Sequence, residues 1–600
     1  MSDPTLRRQP ASPNAVGHSL LHDTPWECLV MLALLLAVLA VGAGLVIYAI
    51  FLRDTEKESR TESRASFGDF HFYAASTDAI QCAPVTRFII ERNGSVTDAA
   101  IATLLCACVV LPHSVGIGGG FVALIYDKTK NTTYTLDARE VAPLASNRDM
   151  FIQNTDEASV GGRAVAVPGL IDGLGKLHQR FGRLPWGELF TPAINLARYG
   201  FPVGPDLSGA LASARAMFET NVHIKNVFWN NVSNTQYKEG EIIKQPLLAE
   251  TLQAIGNSTS EAFYDSDLSD SFVRDIKLMG GIISKEDLRR YESRWRQPAT
   301  VELQDGSKLY SSPSPSSGPI LLYIAAMMGH MKSADSSSLL YHRMVEIFKY
   351  AYAKINEMAD EDFADITRLV NNMISPENVK RTLNLIDDNR TYDDPKHYGL
   401  QKLGRIQYGS SHFSFLSPNG DAISLTSSLG EHFGARCMAT SVGVILNNHM
   451  SEFTLPRPQP PVVGYTPNEN NYIVPGKRPV TTMAPCILVD KRGDVALVLG
   501  ASGGSRIASS SSFVIHNILW RDMSLGEAIE APRLHHQLLP NYIVYEKHFP
   551  EDILEDLKKK GHVLKAIDHR PASVNAVSRA KNRIIYAAAD FRKGGIVDGY

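Results

Sequence analysis

The sequence predicts an α+β protein with one membrane-spanning helix ahead of its folded body. Residues 409–415 and 422–426 alternate polar and apolar side chains on either side of a Pro-Asn-Gly-Asp turn, a pattern typical of a β-hairpin. Residues 187–291 and 320–385 carry apolar side chains at spacings of three and four, which indicates helices. Residues 28–52 form an uncharged and overwhelmingly apolar run. Since about 20 helical residues cross a bilayer, this run is long enough to span one.

The apolar run divides the N-terminal part of the chain into three predicted segments. They are a cytosolic tail at 1–27, the transmembrane helix at 28–52 and a polar juxtamembrane stalk at 53–75. A signal-peptide core is shorter, about 7–15 residues, and no small-residue cleavage site follows the run. We therefore expect an anchor that stays in the mature protein.

Two patterns disagree about the orientation of this anchor. Arg7 and Arg8 precede it, whereas four basic residues follow within 53–64, so the positive-inside rule places the body in the cytosol. Five Asn-x-Ser/Thr sequons beyond the anchor favour the opposite side, because glycosylation needs a lumenal location. The sequons are Asn93, Asn131, Asn231, Asn257 and Asn389. We expect a single-pass type II protein of the plasma membrane with an extracellular body, against the charge argument.

Composition narrows the classes of function. A formal net charge of -3 over 600 residues argues against a nucleic-acid partner. The histidines and cysteines show no metal-ligand spacing, so no metal is expected.

The body is predicted to open with a helix and a glycine-rich turn. Asp98 precedes an Ala-rich apolar run at 99–105, which predicts a helix start. Glycines at 116–120 precede an apolar strand at 122–126. Phosphate-binding loops run in the order strand, glycines, helix, so these glycines are interpreted as points of close backbone approach.

Several motifs along the chain carry a likeness to one enzyme family. They are Ser410-Ser411-His412 at the hairpin start, the runs 426–430 and 443–453, the strand 134–143, the loop 475–485 and the glycine-rich loop 498–505. Together they resemble γ-glutamyltransferases (glutathione hydrolases), which are N-terminal-nucleophile hydrolases. The likeness runs from about Ser76 to the C-terminus.

The resemblance implies a fold and a maturation step. The expected fold is a four-layer αββα sandwich of two antiparallel sheets, to which both parts of the chain contribute strands. In the family a precursor cuts itself before the nucleophile, here between Gly409 and Ser410. The products would be a large fragment, 76–409 with the N-terminal segments, and a small fragment, 410–600, held together as a heterodimer.

The resemblance also assigns site residues. Ser410 would be the nucleophile and its freed α-amine the base, with Ser428 among the catalytic residues and Gly503 and Gly504 forming the oxyanion hole. Arg139 would bind the substrate α-carboxylate through its planar guanidinium, and the hydroxyls of Thr481 and Thr482 would help bind the same carboxylate. The positions around the substrate α-amino group are Gly430, His449 and Glu452. The family pairs Cys82 with Cys106 in a disulfide, which implies an oxidising compartment.

This sequence departs from the family pattern at six of these positions. Two of them are Thr481 and Thr482, where the family has serines, and threonine keeps the hydroxyl donor. Ser410 replaces the usual Thr and lacks the methyl group that restricts its rotamer. Gly430, His449 and Glu452 stand where the family has Asn, Glu and Asp. A misplacement of about 1 Å in such a pocket can cost on the order of a hundredfold in rate.

The resulting prediction is a membrane-anchored γ-glutamyl hydrolase/transferase without a cofactor. It would cleave the γ-glutamyl amide of glutathione or its conjugates and pass the group to water or to an amino acid or peptide. The alternative is a weak or inactive homologue that keeps the fold for binding or structure. A Ser-His-acid triad enzyme is disfavoured because no Gly-x-Ser-x-Gly elbow is evident.

Overall fold

Two seven-stranded antiparallel sheets form the centre of the protein, as a computed structural model shows. The structure describes residues 65–600, apart from 333, 335, 404–408, 457–464 and 568–571, and they belong to one compact unit. Within these residues no helix combines the length and the apolar character needed to cross a membrane. The predicted tail at 1–27 and helix at 28–52 lie outside the described part of the chain.

The strands of the two sheets are numbered here in chain order. They are β1 Ser66–Phe70, β2 Ala74–Thr77, β3 Gly120–Asp127, β4 Thr132–Ala138, β5 Arg294–Arg296, β6 Ala299–Glu302, β7 Lys308–Ser311, β8 Ser411–Leu416, β9 Ala422–Ser428, β10 Cys486–Val489, β11 Val495–Ser502, β12 Ser573–Arg579, β13 Ile585–Ala589 and β14 Ile596–Gly599. The first sheet has the order β1-β13-β12-β11-β10-β7-β6, and the second has the order β14-β2-β8-β9-β3-β4-β5.

Helices cover the outer face of each sheet. Those on the second sheet come from α1 Ala83–Glu91, α2 Val96–Val110, α3 Leu170–Phe181, α4 Trp186–Tyr199, α5 Pro205–Ser213, α6 Arg215–Thr220, α7 Val222–Phe228, α8 Pro246–Gly256, α9 Glu261–Tyr264, α10 Asp267–Leu278 and α11 Lys285–Arg290. Those on the first sheet come from α12 Gly318–His330, α13 Ser337–Ile355, α14 Thr367–Met373, α15 Pro376–Leu383, α16 Ile507–Trp520, α17 Leu525–Glu530 and α18 Glu551–Lys559. The four-layer αββα architecture is confirmed.

Strand alternation explains why the layers form. Phe413 and Phe415 of β8 pack into the helical layer, whereas His412 and Ser414 point between the sheets. Successive side chains of a strand face opposite sides, so one strand can serve two interfaces. The space between the sheets is apolar around residues such as Leu416, and polar near the start of β8. A polar end between two sheets is where a site can form.

The hairpin and both helical regions are confirmed, and two boundaries are wrong. The stalk predicted at 53–75 contains β1, an edge strand paired with β13, and the start of β2. Alternate residues of β1 are exposed and the others are only half-buried, so the strand lacks the polar/apolar alternation that marks a strand with one buried face. The helix predicted to start at Asp98 is α2, and its N-cap is Ser95. Asp98 occupies the third helical position and completes a capping box with Ser95.

Candidate active site

Most of the candidate residues lie at one end of the central strands of the second sheet. This end of the strands is called the active-site edge here. Neighbouring strands run antiparallel, so the starts of β8 and β3 lie beside the ends of β9 and β4. Ser411 begins β8 directly after Ser410, Ser428 ends β9, and Arg139 follows the last residue of β4. Three strand spacings of about 4.8 Å separate β8 from β4. Ser410 and Arg139 therefore lie on one edge, about 14 Å apart at the backbone.

The Gly409–Ser410 peptide is enclosed by hydrogen-bond donors. Ser410 is buried, and the Gly503 N–H donates to its Oγ (3.4 Å). The Ser428 hydroxyl donates to the Gly409 carbonyl (3.3 Å). Gly409 has φ +93°, and a Cβ there would lie 2.2 Å from the Gly430 carbonyl oxygen. Only glycine fits at this position, because both the backbone angle and the close approach exclude a side chain.

The glycine loop reaches Ser410 from the opposite sheet. Gly503 and Gly504 follow β11 of the first sheet, and α16 begins shortly after them. Strand β11 packs across the layer on β8, where the His412 ring would lie 2.3 Å from a Cβ at Gly500. The two sheets thus bring the nucleophile candidate and the oxyanion candidates together.

His412 lies between the two sheets. Among the described residues its ring makes hydrogen-bond contacts with Thr426 and Ser414, not with the Ser410 hydroxyl. Its Nδ1 lies 2.8 Å from Thr426 Oγ1, and its Nε2 lies 3.0 Å from Ser414 Oγ. Complete burial lowers the pKa of His412 to about 3. A neutral ring held between two hydroxyls is a structural link within the sandwich.

Lys593 contacts Ser410, Asp78 contacts Lys593, and the sequence analysis predicted neither residue. The Lys593 ammonium donates to the Ser410 carbonyl (2.7 Å), to Ser411 Oγ (2.8 Å) and to Asp78 Oδ2 (3.0 Å). Asp78 also accepts the His412 backbone N–H (3.2 Å). A lysine near the C-terminus and an aspartate at the start of the body meet only through the fold. No local sequence pattern marks them.

Arg139 lies in a buried charged cluster. Its Nη2 donates to Glu452 Oε2 in a very short contact, and its Nη1 lies 3.2 Å from Glu140 Oε2 and 3.1 Å from His449 Nε2. His449 Nδ1 lies 2.9 Å from Glu140 Oε1. The guanidinium therefore has internal partners on both terminal nitrogens. Its Nε has no hydrogen-bond partner among the described residues.

The two carboxylates of this cluster respond differently to burial. Burial would raise the pKa of Glu140, but the facing His449 and Arg139 hold it below its usual value. Burial raises the pKa of Glu452, and Arg139 offsets this only in part. The negative charge is less stable on Glu452 than on Glu140, because burial disfavours it and the Glu140 carboxylate adds a like charge beside it.

A small cavity lies beside Arg139. Its lining includes Arg139, Thr135, Asp137, Arg296, Ser316 and Thr481. Thr481 is anchored through its backbone, since its N–H donates to Pro315 O (2.9 Å) and its carbonyl accepts from Ser317 Oγ (2.8 Å). Thr482 follows as a buried neighbour. The loop thus presents Thr481 to the same space as the arginine.

Comparison with known proteins agrees with this geometry. A family model described as gamma-glutamyltranspeptidase matches residues 82–600. The chain belongs to the γ-glutamyltranspeptidase family. Scoloptoxin SSD14 from Scolopendra dehaani is 40% identical over 556 residues, covering 92% of this chain and 95% of that protein. Glutathione hydrolase 5 proenzyme from Mus musculus is 31% identical over 585 residues, covering 94% and 98%.

A solved structure supports the fold of this γ-glutamyltranspeptidase family member. The crystal structure of cephalosporin acylase from Bacillus halodurans superposes with a TM-score of 0.78 at 22% identity, covering 90% of this chain and 98% of that one. At this identity the likeness concerns the fold alone.

Gly430 leaves no room for the asparagine that the family carries there. It has φ +97°, and a Cβ would lie 1.9 Å from Asn448 Oδ1. Asn448 Oδ1 in turn accepts the Glu431 backbone N–H (3.0 Å). The side chain of Asn448 thus occupies the space next to Gly430. Both the backbone angle of Gly430 and the position of the Asn448 side chain therefore disfavour a larger residue here.

Other predicted positions lie away from this edge. Cys82 and Cys106 form a disulfide that joins the segment before α1 to α2. All five sequon asparagines are exposed. Exposure is what glycosylation requires, and it leaves their modification a prediction.

Proposed function

We propose that this protein is a self-cleaving γ-glutamyl hydrolase/transferase with Ser410 as its nucleophile. The observation that carries the proposal is the meeting of four groups at one sheet edge. The Gly503 N–H donates to Ser410 Oγ, the Ser428 hydroxyl donates to the Gly409 carbonyl, and Arg139 lies on the same edge. Such a set combines a nucleophile, oxyanion donors and a carboxylate-binding cation.

The first reaction is cleavage of the chain itself. Ser410 Oγ attacks the Gly409 carbonyl carbon, and the peptide C–N bond breaks as an ester forms. The Ser428 hydroxyl is placed to stabilise the oxygen of Gly409 as it gains charge. Water then hydrolyses the ester, so that Gly409 becomes a carboxylate and Ser410 keeps its hydroxyl and gains a free amine. Both sheets contain strands from each side of the cut, so the fragments stay associated.

The second reaction uses the same hydroxyl on a substrate. The free α-amine takes the Ser410 proton while Oγ attacks the γ-carbonyl, and the N–H groups of Gly503 and Gly504 stabilise the oxyanion. The amine product leaves with the proton, and a γ-glutamyl ester remains on Ser410. Water or an acceptor amine cleaves this ester and regenerates the enzyme.

Lys593 favours the unprotonated form of the freed Ser410 α-amine, which is the form that acts as a base. Its ammonium lies 2.7 Å from the Ser410 carbonyl oxygen, close to the nitrogen that cleavage frees. A nearby positive charge disfavours a second one and lowers the pKa of that amine. An unperturbed α-amine titrates near 7.7–8.0, so lowering increases the unprotonated fraction at neutral pH.

Arg139 is the proposed recognition group for the substrate α-carboxylate. Its Nε–H lacks a partner among the described residues, and the arginine lines the cavity that Thr481 also lines. Full bidentate binding needs a second guanidinium nitrogen, and Glu452 holds Nη2. The substrate must compete with Glu452, which weakens binding.

That competition supports a second candidate function. With Arg139 engaged by Glu452, and with Gly430 and His449 in the amino-group pocket, the protein would be a weak or inactive homologue that binds rather than cleaves. The two candidates differ in whether Ser410 becomes acylated.

The proposal also includes location and partners. We infer a type II plasma-membrane protein anchored by 28–52, with residues 53–600 outside the cell. The exposed sequons and the Cys82–Cys106 disulfide support an extracellular body. Treatment of the cell-expressed protein with glycosidase should increase its gel mobility. An unchanged mobility together with protease protection of the body would reject this topology.

Acyl-enzyme trapping tests the catalytic proposal. The protein is mixed with glutathione, quenched with acid and digested, and the peptide that begins at Ser410 is weighed by mass spectrometry. We expect one γ-glutamyl group on that peptide and none in Ser410→Ala. Ser411→Ala is the matched control and should acylate like wild type. A cut chain that never acylates would instead establish the non-catalytic alternative.

A further inference from the structure

Two histidines and a glutamate meet far from the active-site edge, beneath the helices of the first sheet. His342 and Glu346 lie one turn apart on α13, so they share a helix face. His562 follows α18 and approaches them from the other side. His342 Nδ1 lies 2.8 Å from His562 Nε2, and one ligating atom from each of the three residues lies within 4.8 Å of the others. All three residues are buried.

Surrounding groups orient His342 and Glu346. His342 Nε2 lies 2.8 Å from the Asp387 carbonyl, so Nε2 carries the proton and Nδ1 presents a lone pair towards His562. Glu346 accepts from Thr391 Oγ1 (2.7 Å) and from the Tyr398 hydroxyl (2.7 Å). A metal-binding histidine typically donates its other ring N–H to a carbonyl or carboxylate, and a metal-binding carboxylate typically accepts hydrogen bonds from its neighbours. His342 and Glu346 follow this pattern.

We propose that His342, Glu346 and His562 form a binding site for Zn²⁺. Two imidazoles and one carboxylate suit zinc, which binds these groups at about 2.0–2.2 Å and leaves a fourth position for water. Tetrahedral ligands at that distance are about 3.4 Å apart. The two rings must therefore separate by roughly half an ångström from their direct contact when the ion enters.

Two lysine ammonium groups, Lys349 and Lys560, oppose a cation here, and Lys349 is the better defined of the two. Its ammonium lies 3.8 Å from Glu346 Oε1, and it donates to Thr391 Oγ1 (2.7 Å) and to Tyr392 O (2.8 Å). Like charges repel, so an entering dication must overcome these ammonium groups.

The position of the site gives it a consequence for the mature protein. His342 and Glu346 precede the predicted cut, and His562 follows it. A metal held by all three would link the two fragments. This consequence rests on the proposed cleavage at Gly409, whereas metal binding itself does not.

Zinc binding is measured on the uncut Ser410→Ala chain and on wild type, both tag-free and stripped with chelator. We expect one Zn²⁺ per chain by elemental analysis, and a visible Co²⁺ spectrum of a tetrahedral site. Removing one ligand in His562→Gln or Glu346→Gln should weaken binding at least about 100-fold. His516→Gln is the matched control, since His516 is another buried histidine that lies outside the cluster.

The outcomes separate the site from the cleavage. Equal Zn²⁺ affinity in wild type, His562→Gln and Glu346→Gln would overturn the site, and so would failure of the wild type to bind. If one variant fails to fold, the other and the Co²⁺ spectrum of the parent decide. In a chain that does cut, Zn²⁺ should raise the urea concentration at which the fragments separate, and no shift would reject the fragment link.

Discussion

Glu452→Asp should strengthen substrate binding, because it shortens the side chain that holds Arg139. In the structure Glu452 accepts a hydrogen bond from Arg139 Nη2, and a substrate α-carboxylate needs the same nitrogen. A hydrogen bond between charged groups contributes about 1.5–3 kcal/mol. If the substrate must displace it, removing the competitor lowers KM by about 10- to 150-fold, since 1.4 kcal/mol is tenfold.

The assay is initial-rate hydrolysis of a chromogenic γ-glutamyl anilide, with KM and kcat determined separately. Asp keeps the negative charge, so Arg139 retains a counter-ion and the fold should hold. Glu357→Asp makes the same chemical change beside Lys354, far from the cluster, and serves as the control. An unchanged or higher KM in Glu452→Asp, with an unaltered Tm, would refute the idea that Glu452 competes with substrate.

Three further predictions concern recognition, backbone and pH. Arg139→Lys should lower kcat/KM at least about tenfold yet leave chain cleavage intact, because Lys keeps the charge but loses the bidentate fork; equal kcat/KM would remove Arg139 from the site. Gly430→Asn should lower stability by at least about 1 kcal/mol, measured as a fall in Tm, because its φ is positive and Asn448 fills the space; an unchanged Tm would contradict the clash. Between pH 6.5 and about 4 the free energy of unfolding should fall as pH falls, by up to about 8 kcal/mol per pH unit, because the unfolded chain binds protons that buried neutral histidines do not; urea unfolding of the Ser410→Ala chain that is flat across this range would contradict it. The histidines with strongly lowered pKa are His412, His432, His516, His535, His536 and His562.

Local patterns in the sequence were sufficient for much of the fold. The β8–β9 hairpin and the helical regions follow from periodicity, which is written into neighbouring residues. Strand β1 escaped because an edge strand is half exposed and lacks an apolar face. The four layers came from the family resemblance, since pairing of β1 with β13 joins residues more than 500 positions apart.

The site was predicted only in part, for the same reason. Family motifs pointed to Ser410 and Arg139, and the structure puts them on one sheet edge. Lys593 has no motif around it, and its role depends on the packing of the C-terminal segment against Asp78 and Ser410. The length of Glu452 was noticed in the sequence, but its contact with Arg139 required coordinates.

The replacement of Asn by Gly430 was interpreted from the sequence as loss of one binding side chain. The structure adds that Asn448 fills the neighbouring space. Restoring the family residues at Gly430, His449 and Glu452 together is therefore expected to fail on glutathione unless Asn448 also changes. Activity that rises in the triple variant alone would contradict this steric argument.

The most direct test of the account is a denaturing gel with N-terminal sequencing of the purified protein. We predict two fragments, 1–409 and 410–600, with the smaller one beginning at Ser410. Ser410→Ala should remain a single chain without γ-glutamyl activity, and Ser410→Thr should cut faster, because the β-methyl group restricts the rotamer. A wild-type chain that stays whole while Ser410→Thr matures, or a fragment that begins at Ser411, would contradict Ser410 as the nucleophile of this protein.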